Sequence, residues 1–161
     1  MTNSQRLAHQ YDRVMRGDAW HGDAVWTTLS GISAEIAAKT AHPAAHTIWE
    51  LLAHMTFWET EVCRRVDGLP PRSVEEFNFP VTPVPTAENW ERALEQFRSS
   101  NESFRSTLLR VDDAGLDVPL PGRDRPLYVE LDGVIQHNLY HAGQVSILRK
   151  ILESNTVVTR L

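Results

Sequence analysis

The sequence predicts an all-α protein, a four-helix bundle with long Pro-rich connectors, and three observations lead to this prediction. Apolar residues recur at three- and four-residue steps, as one buried face of a helix requires. Pro and Gly punctuation falls between the periodic segments. No segment alternates apolar and polar residues strongly enough to demand a sheet. The length of 161 residues fits one domain, covering residues 1–161.

Composition and charge argue against several classes of protein. The net charge is −5 and no helix is basic, so we expect no nucleic-acid partner. The sequence has no run of about 18 apolar residues, so we expect no membrane partner. The N-terminus lacks the apolar core of a signal peptide, and Cys63 is the only cysteine, which suits a reducing compartment. We therefore expect a cytoplasmic protein.

The first elements are a short helix through about Arg16, a break at Gly17-Asp18, and a longer helix around residues 23–39. The apolar positions of this longer helix follow helical spacing and are Val25, Leu29, Ile32 and Ile36. The first of the four main helices is therefore expected at 23–39.

The second main helix has the clearest start. Thr47 and Glu50 form a capping box, in which both side chains satisfy backbone N–H groups at the helix entrance. The apolar face that follows comprises Ile48, Leu51, Leu52, Met55, Trp58, Val62 and Val66. Gly68 and the prolines after it end the helix. Residues 69–86 contain five prolines and are expected to form a stiff connector rather than an element.

The third helix is expected from about Ala87 to Val111 with Thr86 as N-cap, and the last from about Leu127 to Glu153. Prolines keep most of the stretch between them extended. A short connection makes helices one and two antiparallel neighbours, whereas the long connector allows helices two and three to run parallel. The predicted order is up-down-down-up.

Three histidines are candidate metal ligands. His137 and His141 lie four residues apart on the apolar stripe of the last helix. Their Cβ atoms are therefore roughly 5–6 Å apart, close enough for both imidazoles to reach one ion. His54 lies at the edge of the apolar stripe of the second helix and is the natural third ligand if the two helices face each other.

Spacing alone leaves a second interpretation open. A histidine on an apolar helix face is usually a core residue that hydrogen-bonds to a neighbour. Two histidines on one stripe favour a metal, because each buried imidazole needs partners for both ring nitrogens.

Other residues are weaker candidates. Glu50 is explained by the capping box. Glu61 shares the face of His54 two turns away and could support a metal ligand, but a solvated helix position is the preferred interpretation. Gln144 could orient water or substrate, or contact a helix. Cys63 faces nearly away from His54, so a thiolate ligand is not expected.

The remaining histidines do not indicate a site. His42 and His46 precede the helix cap with a proline between them, so a loop is expected. His9 and His21 lack spaced partners and are explained as exposed side chains. No nucleophile loop, phosphate-binding loop or dinucleotide fingerprint is present in the sequence.

Three segments resemble a known family. The segment HTIWELLAHMTFWE, residues 46–59, resembles the first motif of the DinB/YfiT-like superfamily. The segment LDGVIQHNLYHAGQ, residues 131–144, resembles its closing motif, and GDAWHGDAVW, residues 17–26, resembles the opening of one branch. The closing motif is the most specific of the three.

The resemblance implies a four-helix bundle that binds one divalent transition metal, nickel or zinc, through His54, His137 and His141. Open coordination positions would make the site catalytic. The implied activities on a small molecule are thiol transfer with a low-molecular-weight thiol, or hydrolysis, and the implied assembly is a homodimer. No general acid or base is identified. The alternative is a non-catalytic stress-response bundle that binds metal or a small ligand.

Overall fold

Four long helices and four short ones follow one another along residues 1–158, the part of the chain that the structure, a computed structural model, describes. The long helices are α1 (Asn3–Arg16), α4 (Ile48–Val66), α6 (Ala87–Arg110) and α8 (Leu127–Val158). The short helices are α2 (Val25–Leu29), α3 (Ala34–Ala38), α5 (Val74–Phe77) and α7 (Asp113–Leu116). No strand occurs in this part of the chain, so the all-α prediction is confirmed.

Side-chain caps define where the long helices begin. Thr47 accepts a hydrogen bond from the backbone N–H of Glu50, and the Glu50 carboxylate accepts from Thr47 N at 2.8 Å, which confirms the capping box. Thr86 caps α6 by accepting a hydrogen bond from the backbone N–H of Asn89, as predicted. Thr2 and Gln5 form a further capping box at α1, which the sequence analysis had not identified. Each cap satisfies N–H groups that have no partner inside the helix.

The single helix predicted at 23–39 is wrong. The segment forms α2 and α3 instead, separated at Gly31, whose φ of +76° is incompatible with an α-helix. Ser33 then caps α3. Val25 and Leu29 are buried nonetheless, because the two short helices pack against the bundle in turn. The first long helix of the bundle is consequently α1.

Two connectors contain more structure than predicted. The Pro-rich segment 69–86 includes the four-residue helix α5, capped by Ser73. The segment after α6 includes α7, capped by Asp112, and an isolated β-bridge between Pro119 and Pro126. The last helix begins at Leu127 as predicted and continues five residues past the predicted end.

Polar contacts between helices reveal their relative directions. Between α4 and α6, Glu59 contacts Ser100 and Asp67 contacts Arg110. Between α1 and the end of α6, Ser4 contacts Val111 and Asp12 contacts Arg105. Between α4 and α8, His54 contacts His137 and Arg65 contacts Glu130. Residue numbers increase in the same direction along both helices only for the pair α4 and α6. Therefore α4 and α6 run parallel, α1 is antiparallel to α6, and α8 is antiparallel to α4.

One buried carboxyl group connects all four long helices. Glu59 of α4 is fully buried and accepts hydrogen bonds from Tyr11 (2.6 Å), Ser100 (2.6 Å), Asn101 (2.7 Å) and Asn138 (2.7 Å). Burial raises the pKa of Glu59, although the four hydrogen bonds act in the opposite direction. The core around this cluster is apolar. Among the described helices, none is long and apolar enough to cross a lipid bilayer.

Candidate metal centre

The antiparallel packing of α4 and α8 brings the three predicted histidines together. The Nε2 atom of His137 lies 2.9 Å from Nε2 of His54 and 3.1 Å from Nε2 of His141. His54 and His141 are buried and His137 is partly buried. In the described residues, these three side chains form a group whose ligand atoms all lie within 4.8 Å of one another.

The hydrogen bond of His54 fixes its tautomer, and the orientation of the Gln144 amide sets that of His141. Nδ1 of His54 lies 2.7 Å from the carbonyl oxygen of Asn78, which can only accept, so Nδ1 carries the proton. Nδ1 of His141 lies 2.6 Å from Oε1 of Gln144, while Nε2 of that amide faces the hydroxyl of Tyr140. Both histidines therefore present a bare Nε2 lone pair to the centre of the site.

Hydrogen bonding cannot satisfy the three converging nitrogens. A neutral His137 can donate one proton from Nε2, to His54 or to His141, which leaves at least one buried lone pair without a donor. Burial lowers the pKa of His54 and of His141, and burial together with its two imidazole neighbours lowers the pKa of His137 to about 3. All three side chains are thus neutral at neutral pH, the state in which imidazole binds a metal. The residues fit a metal ion.

The Pro-rich connector supplies contacts to this site that the sequence did not predict. The Phe79 ring stacks between two imidazoles. Its centroid lies 4.2 Å from that of His54 and 3.8 Å from that of His46. The amide oxygen of Asn78 accepts from Nε1 of Trp58 at 2.9 Å. The connector is therefore a part of the site rather than a spacer. The only sequence feature that could have indicated this contact is the pair Asn78-Phe79 within the Pro-rich segment.

The structure also shows the contacts of the other residues considered as site candidates. Glu50 belongs to the capping box of α4, as predicted. Cys63 is buried and contacts Thr107 on α6, away from the histidines. Gln144 contacts His141 directly, so it positions a candidate ligand. His42 is exposed in a loop, as expected.

The preferred interpretation of Glu61 as a solvated residue is wrong. Its side chain is fully buried and forms ion pairs with Arg65 at 2.9 Å and Arg72 at 3.1 Å, with Arg64 at 4.0 Å. A buried carboxylate requires such partners. The sequence did not reveal the burial because Arg72 reaches Glu61 from the connector.

A groove adjoins the site at His137. Its volume is about 430 Å³, and it lies between α4, α8 and the segment before α8. A second groove of about 410 Å³, on the side of α4 that faces α6, includes none of the three histidines in its lining. Of these two grooves, the one at His137 reaches the histidines, so a small molecule can approach the site from it.

Comparison with known proteins identifies one family. A family model described as the DinB superfamily matches residues 19–144, a region that includes all three histidines. No curated protein matches the chain. No solved structure matches it.

Proposed function

The chain belongs to the DinB superfamily, and from this membership we propose that it is an enzyme dependent on one divalent transition metal held by His54, His137 and His141. One observation carries the proposal. Three imidazole Nε2 atoms converge between two helices, and two of these imidazoles have an oxygen atom within hydrogen-bond distance of their opposite nitrogen, Nδ1. A carbonyl or amide oxygen on that second nitrogen is the usual arrangement around metal-binding histidines.

Nickel or zinc would supply Lewis acidity, which lowers the pKa of a water molecule or thiol at an open coordination position. The protein's own residues would orient the ligands and restrict access. The backbone of Asn78 and the side chain of Gln144 hold the rings of His54 and His141 in position. Phe79 covers one face of His54. Within the described residues no carboxylate or thiolate joins the group, which leaves positions for a substrate.

The proposed reaction is thiol transfer with a low-molecular-weight thiol, with hydrolysis as the second possibility. The family resemblance supports both and favours thiol transfer slightly. The groove at His137 would admit the small-molecule substrate.

Elemental analysis tests metal binding directly. Protein purified without a metal-chelating tag is expected to contain about one equivalent of metal, and His141→Ala is expected to contain none. The control is His21→Ala, since His21 is exposed and far from the group in sequence. Wild-type protein without metal after supplementation with nickel or zinc would overturn the proposal.

An activity panel tests the enzymatic part. Metal-loaded protein is assayed with thiols plus electrophiles and with ester and amide substrates, beside the metal-free protein. Turnover that requires metal and is lost in His141→Ala supports an enzyme. Stoichiometric metal with no turnover across the panel would favour the non-catalytic bundle instead.

A further inference from the structure

The side chains that line the groove at His137 fall into two chemical sets, which we call its apolar half and its charged half without implying that they lie on separate sides. Its apolar half is lined by Trp58, Val62, Val129 and Val134. Its other half is lined by three guanidinium groups, those of Arg65, Arg123 and Arg125, together with Glu130. His137 belongs to the same lining, so a molecule in the groove would lie next to the histidine cluster.

The charged half has an excess of positive charge. Two carboxylates, Glu61 and Glu130, share four guanidinium groups through ion pairs of 2.9 to 4.0 Å: Arg64, Arg65 and Arg72 for Glu61, and Arg65 and Arg123 for Glu130. This network is therefore positive by two charges within a chain whose net charge is −5. Of these groups, Arg65, Arg123 and Glu130 line the groove, and with Arg125 the lining has three guanidinium groups and one carboxylate.

The guanidinium groups nearest to solvent are available to a ligand. Arg123 contacts Glu130 at 3.4 Å and Arg125 lies 3.9 Å from the exposed carboxylate of Asp124. Among the described residues each of these two guanidinium groups forms one ion-pair contact and no hydrogen bond, so most of their N–H donors are free. Arg65, by contrast, is held by Glu61 and lies over the ring of Trp58. Arg123 and Arg125 are consequently the residues that would contact an incoming anion.

We propose that this groove is the substrate pocket of the metal site and binds a small organic carboxylate, with the carboxylate at Arg123 and Arg125 and its apolar body against Trp58, Val62 and Val134. The inference rests on the proposed function in one respect, that the far end of the molecule reaches the histidine cluster. The planar guanidinium fork matches a carboxylate in two-point contact. The apolar half gives the body of the molecule a surface that a simple inorganic anion would not use.

A titration with matched ligands tests the proposal. Phenylacetate, phenylacetamide and inorganic phosphate are titrated by calorimetry into the metal-loaded and the metal-free protein, and metal content is measured on the same samples. Phenylacetate is expected to bind at least about tenfold more tightly than the amide, because the amide loses the charge-assisted hydrogen bonds. Inorganic phosphate is expected to bind more weakly than phenylacetate, since it leaves the apolar half empty.

Variants locate the binding. Arg123→Gln and Arg125→Gln are each expected to weaken phenylacetate binding about tenfold. The matched control is Arg92→Gln, which makes the same charge change on an exposed arginine of α6 that lines the other groove. Equal affinity for acid and amide, equal affinity for phosphate, or an equal effect of Arg92→Gln would overturn the proposal.

The two proposals fail in different ways. Preference for the carboxylate is expected with and without metal, because the arginines create it. A protein that binds no metal but keeps this preference and its dependence on Arg123 would overturn the proposed function alone. Binding that is abolished by His141→Ala and unaffected by Arg123→Gln would place the anion at the histidines and overturn the inference about the groove alone.

Discussion

Glu59 is the residue on which the interior of the bundle depends most, since its carboxyl group is the common acceptor for donors from α1, α6 and α8. Glu59→Ala removes the carboxylate acceptor of the Tyr11 hydroxyl and of the Asn101 and Asn138 amides, and it is expected to cost at least about 3 kcal/mol of the free energy of unfolding. Glu59→Gln is expected to cost much less, because it keeps one acceptor oxygen and because the Asn138 amide can turn over to present Oδ1, which has no hydrogen bond, to the new N–H group. Urea unfolding of both variants measures the difference; equal losses would contradict the assigned role.

The raised pKa of Glu59 gives stability a pH dependence of known sign. A carboxyl group whose pKa is higher in the folded than in the unfolded state binds a proton more readily when folded, so its contribution is present at low pH and is lost as pH rises. A neutral Glu59 can be accommodated, because Ser100 can accept its proton while donating to the carbonyl of Phe97 at 2.9 Å. Glu59→Gln does not titrate. Its stability relative to wild type is expected to improve as pH rises above about 4, and unfolding curves from pH 4 to 8 measure this; a difference independent of pH would contradict it.

Gln144 determines how well one histidine is oriented. Gln144→Leu removes the acceptor at Nδ1 of His141, and loss of such a contact typically weakens metal affinity about 10- to 100-fold. Competition with a chromogenic chelator measures the affinity. Gln136→Leu is the control, because Gln136 lies two turns earlier on the exposed side of α8 and bonds only to Asp132 among the described residues. Equal effects of the two substitutions would contradict the positioning role.

At the scale of elements, the sequence predicted the long helices well and the short ones poorly. Capping residues such as Thr47 and Thr86 are local, so they can be identified without knowing the tertiary structure. The apolar spacing across 23–39 is the same whether one helix or two pack there, which is why the break at Gly31 was missed. The pair His137 and His141 was predictable because its spacing lies within one helix, whereas His54 was predicted from its place on the apolar stripe of another helix and from the family resemblance. The contacts of Phe79 and Arg72 were not, because they join residues distant along the chain.

The break between α2 and α3 can be tested by paired glycine substitutions. Gly31→Ala places a side chain at a φ of +76° and is expected to destabilise the fold by about 1 kcal/mol. Gly143→Ala, inside α8 with nothing within 4 Å of the added carbon besides its chain neighbours and the helix's own backbone, is expected to stabilise it by about 0.5–1 kcal/mol. Thermal unfolding measures both. Stabilisation by Gly31→Ala would indicate a continuous helix at 23–39.

At the scale of the whole molecule, a bound metal would cross-link α4 to α8 and so couple ligand binding to folding. A ligand that binds only the folded state stabilises it by about 2.7 kcal/mol at a hundredfold excess over Kd. Wild-type protein and His21→Ala are therefore expected to show a higher Tm with zinc or nickel than with a chelator, whereas His141→Ala is not. Calorimetric melting curves measure the shift, and an equal shift in His141→Ala would mean that the metal binds elsewhere.

The two oriented histidines differ in how mutation can reach them. His54 is held by a carbonyl oxygen of the backbone at position 78, so a codon change there leaves that acceptor in the chain. His141 is held by a side chain, and many single-nucleotide changes in the codon of Gln144 remove its acceptor. Random mutagenesis with selection for metal retention should therefore recover many residues at position 78 and few at position 144. The orientation of His54 on α4 is thus expected to tolerate mutation better than that of His141 on α8.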